Sequence, residues 1–278
     1  MIKLVVTDLD GTFLNNQSSF DKELFQSVYA RMKEQGIAFA ACTGKQCERV
    51  EKLFEDVGEG IWILGDSATR IKRDGQLMRE FTLEQKLAQQ AIRSITEFDP
   101  QLTIIACTSE SAYVHTSIDP AIYDVVKGSY QHVIQTDDLE QIDTPFIKLT
   151  VYDPWERSTA LRQHIEHSMR GQIYIVDSEA RWLDITELHT HKGETVRWLQ
   201  EMLGVSMAET MSFGDGENDI ELMGIAEYSF AVRNACDNTK QAAQFITRSN
   251  EENGVLLTID KMLSLQELRQ PLSAEPAK

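Results

Sequence analysis

Met1-Ile2-Lys3-Leu4-Val5-Val6-Thr7-Asp8-Leu9-Asp10-Gly11-Thr12 opens the chain, and the fold can be read outward from it. Residues 2–7 form a short apolar run rich in β-branched side chains, which breaks at once into two acids and a glycine. A run of that length reads as a strand buried on both faces. Similar runs, bounded by Gly or Asp, stand at 37–42, 61–64, 210–213, 229–232 and 245–247. Between the first two, Leu24, Phe25, Val28 and Met32 recur at helical spacing within 21–35, and Gly36 supplies the stop. A second helix is expected over 192–203, with Val196, Leu199 and Leu203 on one face and Gly204 at its end. Alternation of this kind predicts a Rossmann-like doubly wound α/β core, a parallel sheet with helices on both faces.

The middle third follows another rule. A helix is expected over 82–98 and a hairpin from 102–108 and 112–115 around Ser109-Glu110-Ser111. A strand over 146–152, a helix over 155–169 and paired runs at 173–176 and 182–185 follow. Strands joined by short polar turns imply a mainly antiparallel sheet covered by helices on one face. The expected organisation is therefore a core of residues 1–81 and 187–278, interrupted by an α+β insert over 82–186. The tail, 272–278, is expected to be loose.

Composition narrows the function. The 278 residues carry 44 acids against 27 basic side chains, a formal net charge of -17. Duplex nucleic acid and anionic membranes are thereby disfavoured as partners, because phosphate backbones are bound by excess Lys and Arg. A small phosphate could still be bound, by a metal ion, a helix N-terminus or one aimed lysine. Cys42, Cys47, Cys107 and Cys236 show neither CxxC nor zinc spacing and read as reduced core thiols. The N-terminus lacks the features of a signal peptide and no apolar run approaches the roughly 18 residues of a membrane span, so a soluble, cytoplasmic protein is expected. A monomer or weak homodimer is the expectation for its assembly.

Ligands of open α/β sheets sit beyond the carboxyl ends of the strands. Asp8 and Asp10 stand at that edge. Taken alone, Asp10-Gly11 reads first as a turn and Asp8 as a capping or solvated acid. The strand at 210–213 runs into Gly214-Asp215-Gly216-Glu217-Asn218-Asp219 at the same edge, so that two acid clusters face each other. Their repulsion calls for a hard divalent cation with oxygen ligands, and Mg²⁺ suits this best because it also binds substrate phosphate. Thr43-Gly44-Lys45 ends the second strand, where a helix N-cap or a phosphate grip are both open readings. Lys192, in His191-Lys192-Gly193, is either solvated or the fixed cation that offsets these carboxylates.

The ordered set Asp8-Leu9-Asp10-Gly11-Thr12, Thr43-Gly44, Lys192-Gly193 and Gly214 to Asp219 resembles the haloacid dehalogenase superfamily, specifically its Cof-type phosphatases with a large α/β cap. Arg233-Asn234-Ala235 and Asn253-Gly254-Val255 are similar to further family signatures. The resemblance implies hydrolysis of a small phosphomonoester, a sugar phosphate first, by a Mg²⁺-dependent enzyme. Asp8 would be the nucleophile that becomes an aspartyl phosphate, and Asp10 the general acid and then base. Mg²⁺ would be held by Asp8, the main-chain carbonyl of Asp10 and Asp215, with Asp219 as an outer partner. Leu9, Thr43, Gly44, Lys192 and Asn218 would hold the substrate and its phosphate, Thr43 and Lys192 counting among the catalytic groups. The insert would act as a mobile lid that sets specificity.

Two departures from the family pattern stand out: Lys45, where an Arg is frequent, and Leu64-Gly65-Asp66-Ser67-Ala68, where Asn-Gly-Ala is. Lys45 loses a bidentate fork, and Asp66 is expected to place an acid near the substrate entrance. His189 and His191 have no evident third ligand for zinc. Trp62, Trp155, Trp182 and Trp198 are expected to be core or cap packing. A phosphomutase of the same superfamily, a receiver-like phospho-signalling module and a catalytically retired binding scaffold remain as alternatives.

Overall fold

The computed structural model describes residues 1–179 and 181–269; the expected loose tail lies outside them. Eight strands form the first sheet: β1 (Leu4–Thr7), β2 (Ala38–Cys42), β3 (Trp62–Gly65), β4 (Arg70–Arg73), β5 (Gln76–Glu80), β12 (Thr210–Gly214), β13 (Tyr228–Ala231) and β14 (Phe245–Ile246). Their order is β14-β13-β12-β1-β2-β3-β4-β5. The pairs from β14 to β3 are parallel, and β4 and β5 continue antiparallel. β1 thus lies at the centre, which delivers Asp8 to the middle of the carboxyl edge.

Helices cover both faces. α1 (Lys22–Glu34), α2 (Cys47–Phe54) and α9 (Gly254–Arg269) pack one side, with Phe25, Val50 and Ile259 against Val5 and Phe39. α6 (Lys192–Leu203) and α7 (Ile220–Met223) pack the other, with Val196, Leu199 and Leu222 against Leu4, Val6 and Ala40. The short α8 (Asp237–Ala242) joins β13 to β14. Phe39 sits among Phe13, Phe25, Tyr29 and Phe54 with ring centroids 5.3–6.2 Å apart.

The second sheet comprises β6 (Thr103–Cys107), β7 (Ala112–His115), β8 (Val133–Thr136), β9 (Lys148–Tyr152), β10 (Ile173–Glu179) and β11 (Trp182–Glu187), ordered β10-β11-β9-β6-β7-β8. All its pairs are antiparallel except β7 with β8. α3 (Gln85–Phe98) and α5 (Ser158–Met169) cover one face, where they bury Leu149, Val151, Leu183 and Ile185. The expectation of helices on one face only is corrected by α4 (Pro120–Ser129), whose Val126 packs on the opposite face with Ile105, Cys107 and Tyr152. The sequence pattern missed α4 because only Val126 of its residues is fully buried.

The two-residue period of strands sorts β9 and β11. Leu149, Val151, Leu183 and Ile185 point to the helices. Lys148, Thr150, Trp182 and Asp184 take the other face, toward the first sheet's carboxyl edge. β4 and β5 also escaped the sequence reading, because their Arg and Lys hide an edge hairpin whose Asp74-Gly75 turn takes positive φ at both residues. Trp62 is buried, whereas Trp155 is 51% exposed. The expectation of packing fails for Trp155 because it lies in the turn before α5, where Arg157 stacks on it at 4.5 Å.

Phe39→Ala should destabilise the first sheet's core by about 3–5 kcal/mol, the usual cost of emptying a fully packed aromatic site. Leu268→Ala, at an exposed position, should change stability by less than about 0.5 kcal/mol. Urea unfolding followed by tryptophan fluorescence measures the difference; equal effects would show that the aromatic cluster is loosely packed.

Candidate active site

Asp8 leaves the end of β1 and is fixed by its own N–H, which donates to Phe213 O on β12 at 3.0 Å. The chain then turns back on the Leu9 carbonyl, which accepts from Thr12, Phe13 and Leu14. Gly11 permits this turn: its φ is +77°, and a Cβ there would stand 2.4 Å from Asp215 Oδ2. Thr12 Oγ1 donates to Asp215 Oδ1 at 2.6 Å and so joins the two acid clusters directly. The sequence reading quoted Thr12 within its motif but gave it no role, since an inward hydroxyl has no periodic signature.

Lys192, 4% exposed, starts α6 and donates to Asp8 Oδ1 at 2.6 Å and to Asp219 Oδ1 at 2.7 Å. Asp219 is fully buried, and its Oδ2 accepts the N–H groups of Asp215 and Gly216 at 2.9 and 3.1 Å. One carboxylate oxygen from each of Asp8, Asp215 and Asp219 lies within 4.8 Å of the others. Three hard oxygen donors with a single buried lysine between them fit a small divalent cation. Among the described residues this is the one such cluster, and His189 and His191 are not part of it. His191 instead packs its ring 5.0 Å from Tyr174.

The Asp10 side chain stands apart from the cluster and pairs with Lys45 Nζ at 2.8 Å. Lys45, weighed in the sequence only as a lost fork, therefore holds a carboxylate at the sheet's carboxyl edge. Thr43 is buried at the end of β2, and its Oγ1 accepts the Lys45 N–H at 3.2 Å, which leaves the hydroxyl hydrogen free to be donated elsewhere. Thr43, Gly44 and Asn218 line a crevice of about 530 Å³ between the two sheets, with Asp8, Asp10 and Asp215 on the same wall. The Leu9 side chain is buried in the core, so any contact it makes with a ligand is through its main chain. From the second sheet's side, Tyr130, Lys148, Thr150, Trp182 and Asp184 face the same space. Sequence reasoning missed all five, although the polar and apolar alternation of β9 and β11 carried the signal for Lys148, Thr150, Trp182 and Asp184, while Tyr130 caps α4 and left none; Trp182 had been assigned to packing alone.

The expectation for Asp66 is corrected. Asp66 is 2% exposed, accepts the Cys47 N–H at 3.1 Å and pairs with Arg70 at 3.2 Å. It is a buried anchor beneath the Thr43 loop rather than an acid at the entrance, because Arg70 on β4 draws it inward. Of the cysteines, Cys42, Cys47 and Cys107 are buried, while Cys236 is partly exposed beside Glu217.

Burial pushes the Asp8 carboxyl well above its ordinary range; Lys192 opposes this, and Asp219 and Asp215 reinforce it. Burial likewise raises Asp215 to about 6, against the pull of its Thr12 hydrogen bond. Burial would lower Lys192, but Asp219 and Asp8 more than offset that and raise it.

A doubly wound α/β sheet with three acids gathered at its carboxyl edge, facing a second sheet across a crevice, is an arrangement suited to holding a cation and a phosphate. The chain belongs to the haloacid dehalogenase-like hydrolase family, whose model matches residues 5–259. It is 29% identical over 265 residues to the 5-amino-6-(5-phospho-D-ribitylamino)uracil phosphatase YbjI of Escherichia coli K12, covering 94% of this chain and 96% of that one. The crystal structure of SMU.1108c from Streptococcus mutans UA159 superposes with a TM-score of 0.90 at 28% identity, over 95% of this chain and 100% of that chain. The subclass IIB sugar phosphatase BT4131 shares the fold, with a TM-score of 0.79 at 16% identity over 94% and 98% of the two chains. No helix among the described residues is long and apolar enough to cross a membrane.

The raised Asp215 predicts a pH dependence. Its folded value lies above the ordinary carboxylate range near 3.9, so its contribution to stability is complete below about 4 and is lost as pH rises through about 6. A divalent cation competes with those protons. The rise in melting temperature caused by Mg²⁺ should be small at pH 5 and grow as pH passes 6. Equal shifts at pH 5 and pH 7.5 would place the cation elsewhere.

Proposed function

We propose that this chain is a Mg²⁺-dependent phosphatase of small phosphomonoesters, with sugar or polyol phosphates as its substrates, acting through phosphorylation of Asp8. The observation that carries the reading is Lys192 held between Asp8 and Asp219, with Asp215 completing the acid set and Thr43 and Gly44 beside them on the same wall of the crevice. YbjI's phosphoribityl substrate supports the polyol assignment, and a crevice of about 530 Å³ has room for a leaving group of that size.

Asp8 attacks phosphorus and carries the phosphoryl group as an acyl phosphate, which water then cleaves. Asp10, two residues on and beside Lys45, acts from its protonated form: it gives that proton to the leaving oxygen, and the carboxylate so formed takes one back from the attacking water. Thr43 donates its hydroxyl hydrogen to a phosphate oxygen beside Gly44, which lines the same pocket, and Leu9 would contribute through its main chain. Lys192 offsets the charge that Asp8 and the phosphate bring together, and Asn218 binds the phosphate or orients Lys192. Asp8, the Asp10 carbonyl and Asp215 would hold Mg²⁺, with Asp219 acting from outside through its two N–H bonds. Such a cation neutralises charge on the transferring group, which is the main need of phosphoryl transfer. Residues 82–186 act as the cap over the crevice, and its side chains choose the leaving group.

The purified chain should hydrolyse a generic aryl phosphate in Mg²⁺ and lose the activity in excess chelator. Asp8→Asn should abolish turnover and phosphoenzyme formation. Asp10→Asn should keep the nucleophile but lose roughly 10²–10⁴-fold in rate. Near-normal turnover by folded Asp8→Asn would rule out the covalent route, and undiminished turnover after metal removal would rule out the cation.

A further inference from the structure

Residues 66–68 follow β3, and each has positive φ: 53° at Asp66, 61° at Ser67 and 65° at Ala68. None is glycine, so each costs on the order of 1 kcal/mol. The conformation is held by two main-chain bonds into the Thr43 loop, Asp66 N to Lys45 O at 2.7 Å and Ser67 N to Thr43 O at 3.1 Å. The strained turn therefore grips the loop assigned above to phosphate.

Its Ser67 side chain meets the cap. Ser67 Oγ donates to Asp184 Oδ2 of β11 and accepts from Lys148 Nζ of β9 at 3.0 Å. Lys148 also reaches the Gly44 carbonyl at 3.4 Å and both Asp184 oxygens at 3.4 Å. Thr150 Oγ1 donates to Asp184 Oδ1 at 2.6 Å, and Tyr130 donates its hydroxyl to Thr150 at 3.2 Å. Lys148 and Asp184 are 2% and 1% exposed, so an ion pair of the cap is desolvated against two groups of the core. Burying such a pair is expensive and is tolerated where every polar atom finds a partner. Beyond each other and Thr150 of the cap itself, the partners of Lys148 and Asp184 are Ser67 and Gly44, and both are present only while the cap is seated.

We infer that Lys148, Asp184 and Ser67 form a latch by which seating of the cap fixes the Thr43-Gly44-Lys45 loop in its phosphate-gripping shape. The three are positioning residues: they act through the Gly44 carbonyl and the Thr43 carbonyl and do not touch phosphorus. The inference rests on the phosphatase reading for its kinetic consequence but not for its structural one. An open cap leaves Ser67 without its partners and the loop held by main-chain bonds alone, so the grip on phosphate weakens in ground state and transition state alike. Loss of uniform binding appears in KM and leaves kcat nearly unchanged.

Two variants test it. Ser67→Gly removes the hydroxyl while relieving the positive φ, and Lys148→Met/Asp184→Asn removes both charges together, so that neither is left buried alone. Hydrogen exchange of peptides spanning 38–47 should accelerate at least tenfold in both, with peptides from β1 unchanged. KM for an aryl phosphate and the inhibition constant of inorganic phosphate should rise at least tenfold, with kcat altered less than threefold. Unchanged exchange at 38–47 in both folded variants overturns the latch, whatever their turnover, as does a fall in kcat at constant KM. Absence of aryl phosphate hydrolysis by the unmodified chain would count against the function proposed above, and the exchange comparison would still decide the latch. Should one variant fail to fold, the other carries both readouts.

Discussion

A buried lysine shared by two buried carboxylates is the constraint on which the rest of this structure depends. Lys192 brings Asp8, at the end of β1, and Asp219, beyond β12, within 2.7 Å of one nitrogen. Three charges that water would otherwise solvate are held in the interior, and they persist there only because each has a fixed partner. Asp219 is further tied by two main-chain N–H groups, and Asp215 by Thr12. The arrangement needs β1 in the centre of the sheet and β12 as its parallel neighbour, so the strand order and the charge network require each other.

The second sheet completes the site from above by the simplest property of a strand. Alternate residues of β9 and β11 face α3 and α5, and the intervening ones face the crevice. One run thus supplies both a hydrophobic core and a polar wall, and a one-residue slip would exchange the two. Lys148 and Asp184 would then lie among Leu149, Val151, Leu183 and Ile185, a desolvation that no register of this sheet could sustain. The polar wall is therefore also what fixes the strand register.

How much of this was legible in the sequence depended on the range of the interaction. The parallel strands, α1 and α6 were visible because their apolar spacing and glycine stops are local. The acids at the strand ends were visible because a topological rule puts ligands there. The roles of Thr12 and Lys45, and the five residues facing the crevice from the second sheet's side, were missed, because they arise from partners brought close by folding. Asp66 was misjudged for the same reason: its neighbours in sequence suggest an exposed turn, while Arg70 and the Cys47 N–H make it a buried anchor. α4 buries too little to leave a period, and β4 and β5 are edge strands whose charges mask their alternation.

Charge around the crevice joins these observations. Asp10 is balanced by Lys45 and Asp184 by Lys148. That leaves Asp8, Asp215 and Asp219 against Lys192 and Arg49, which also lines the crevice, with one negative charge in excess. On a chain of net charge -17, neither the site nor its surroundings would draw in a dianion. Proton uptake by Asp8 or Asp215, both raised in pKa, removes the excess but in the first case also disables the proposed nucleophile. A divalent cation among the three acids would instead reverse the sign while leaving Asp8 ionised. In that scheme cation and phosphate bind cooperatively by electrostatics alone, and the cap latch acts afterwards on a site whose field already favours the substrate.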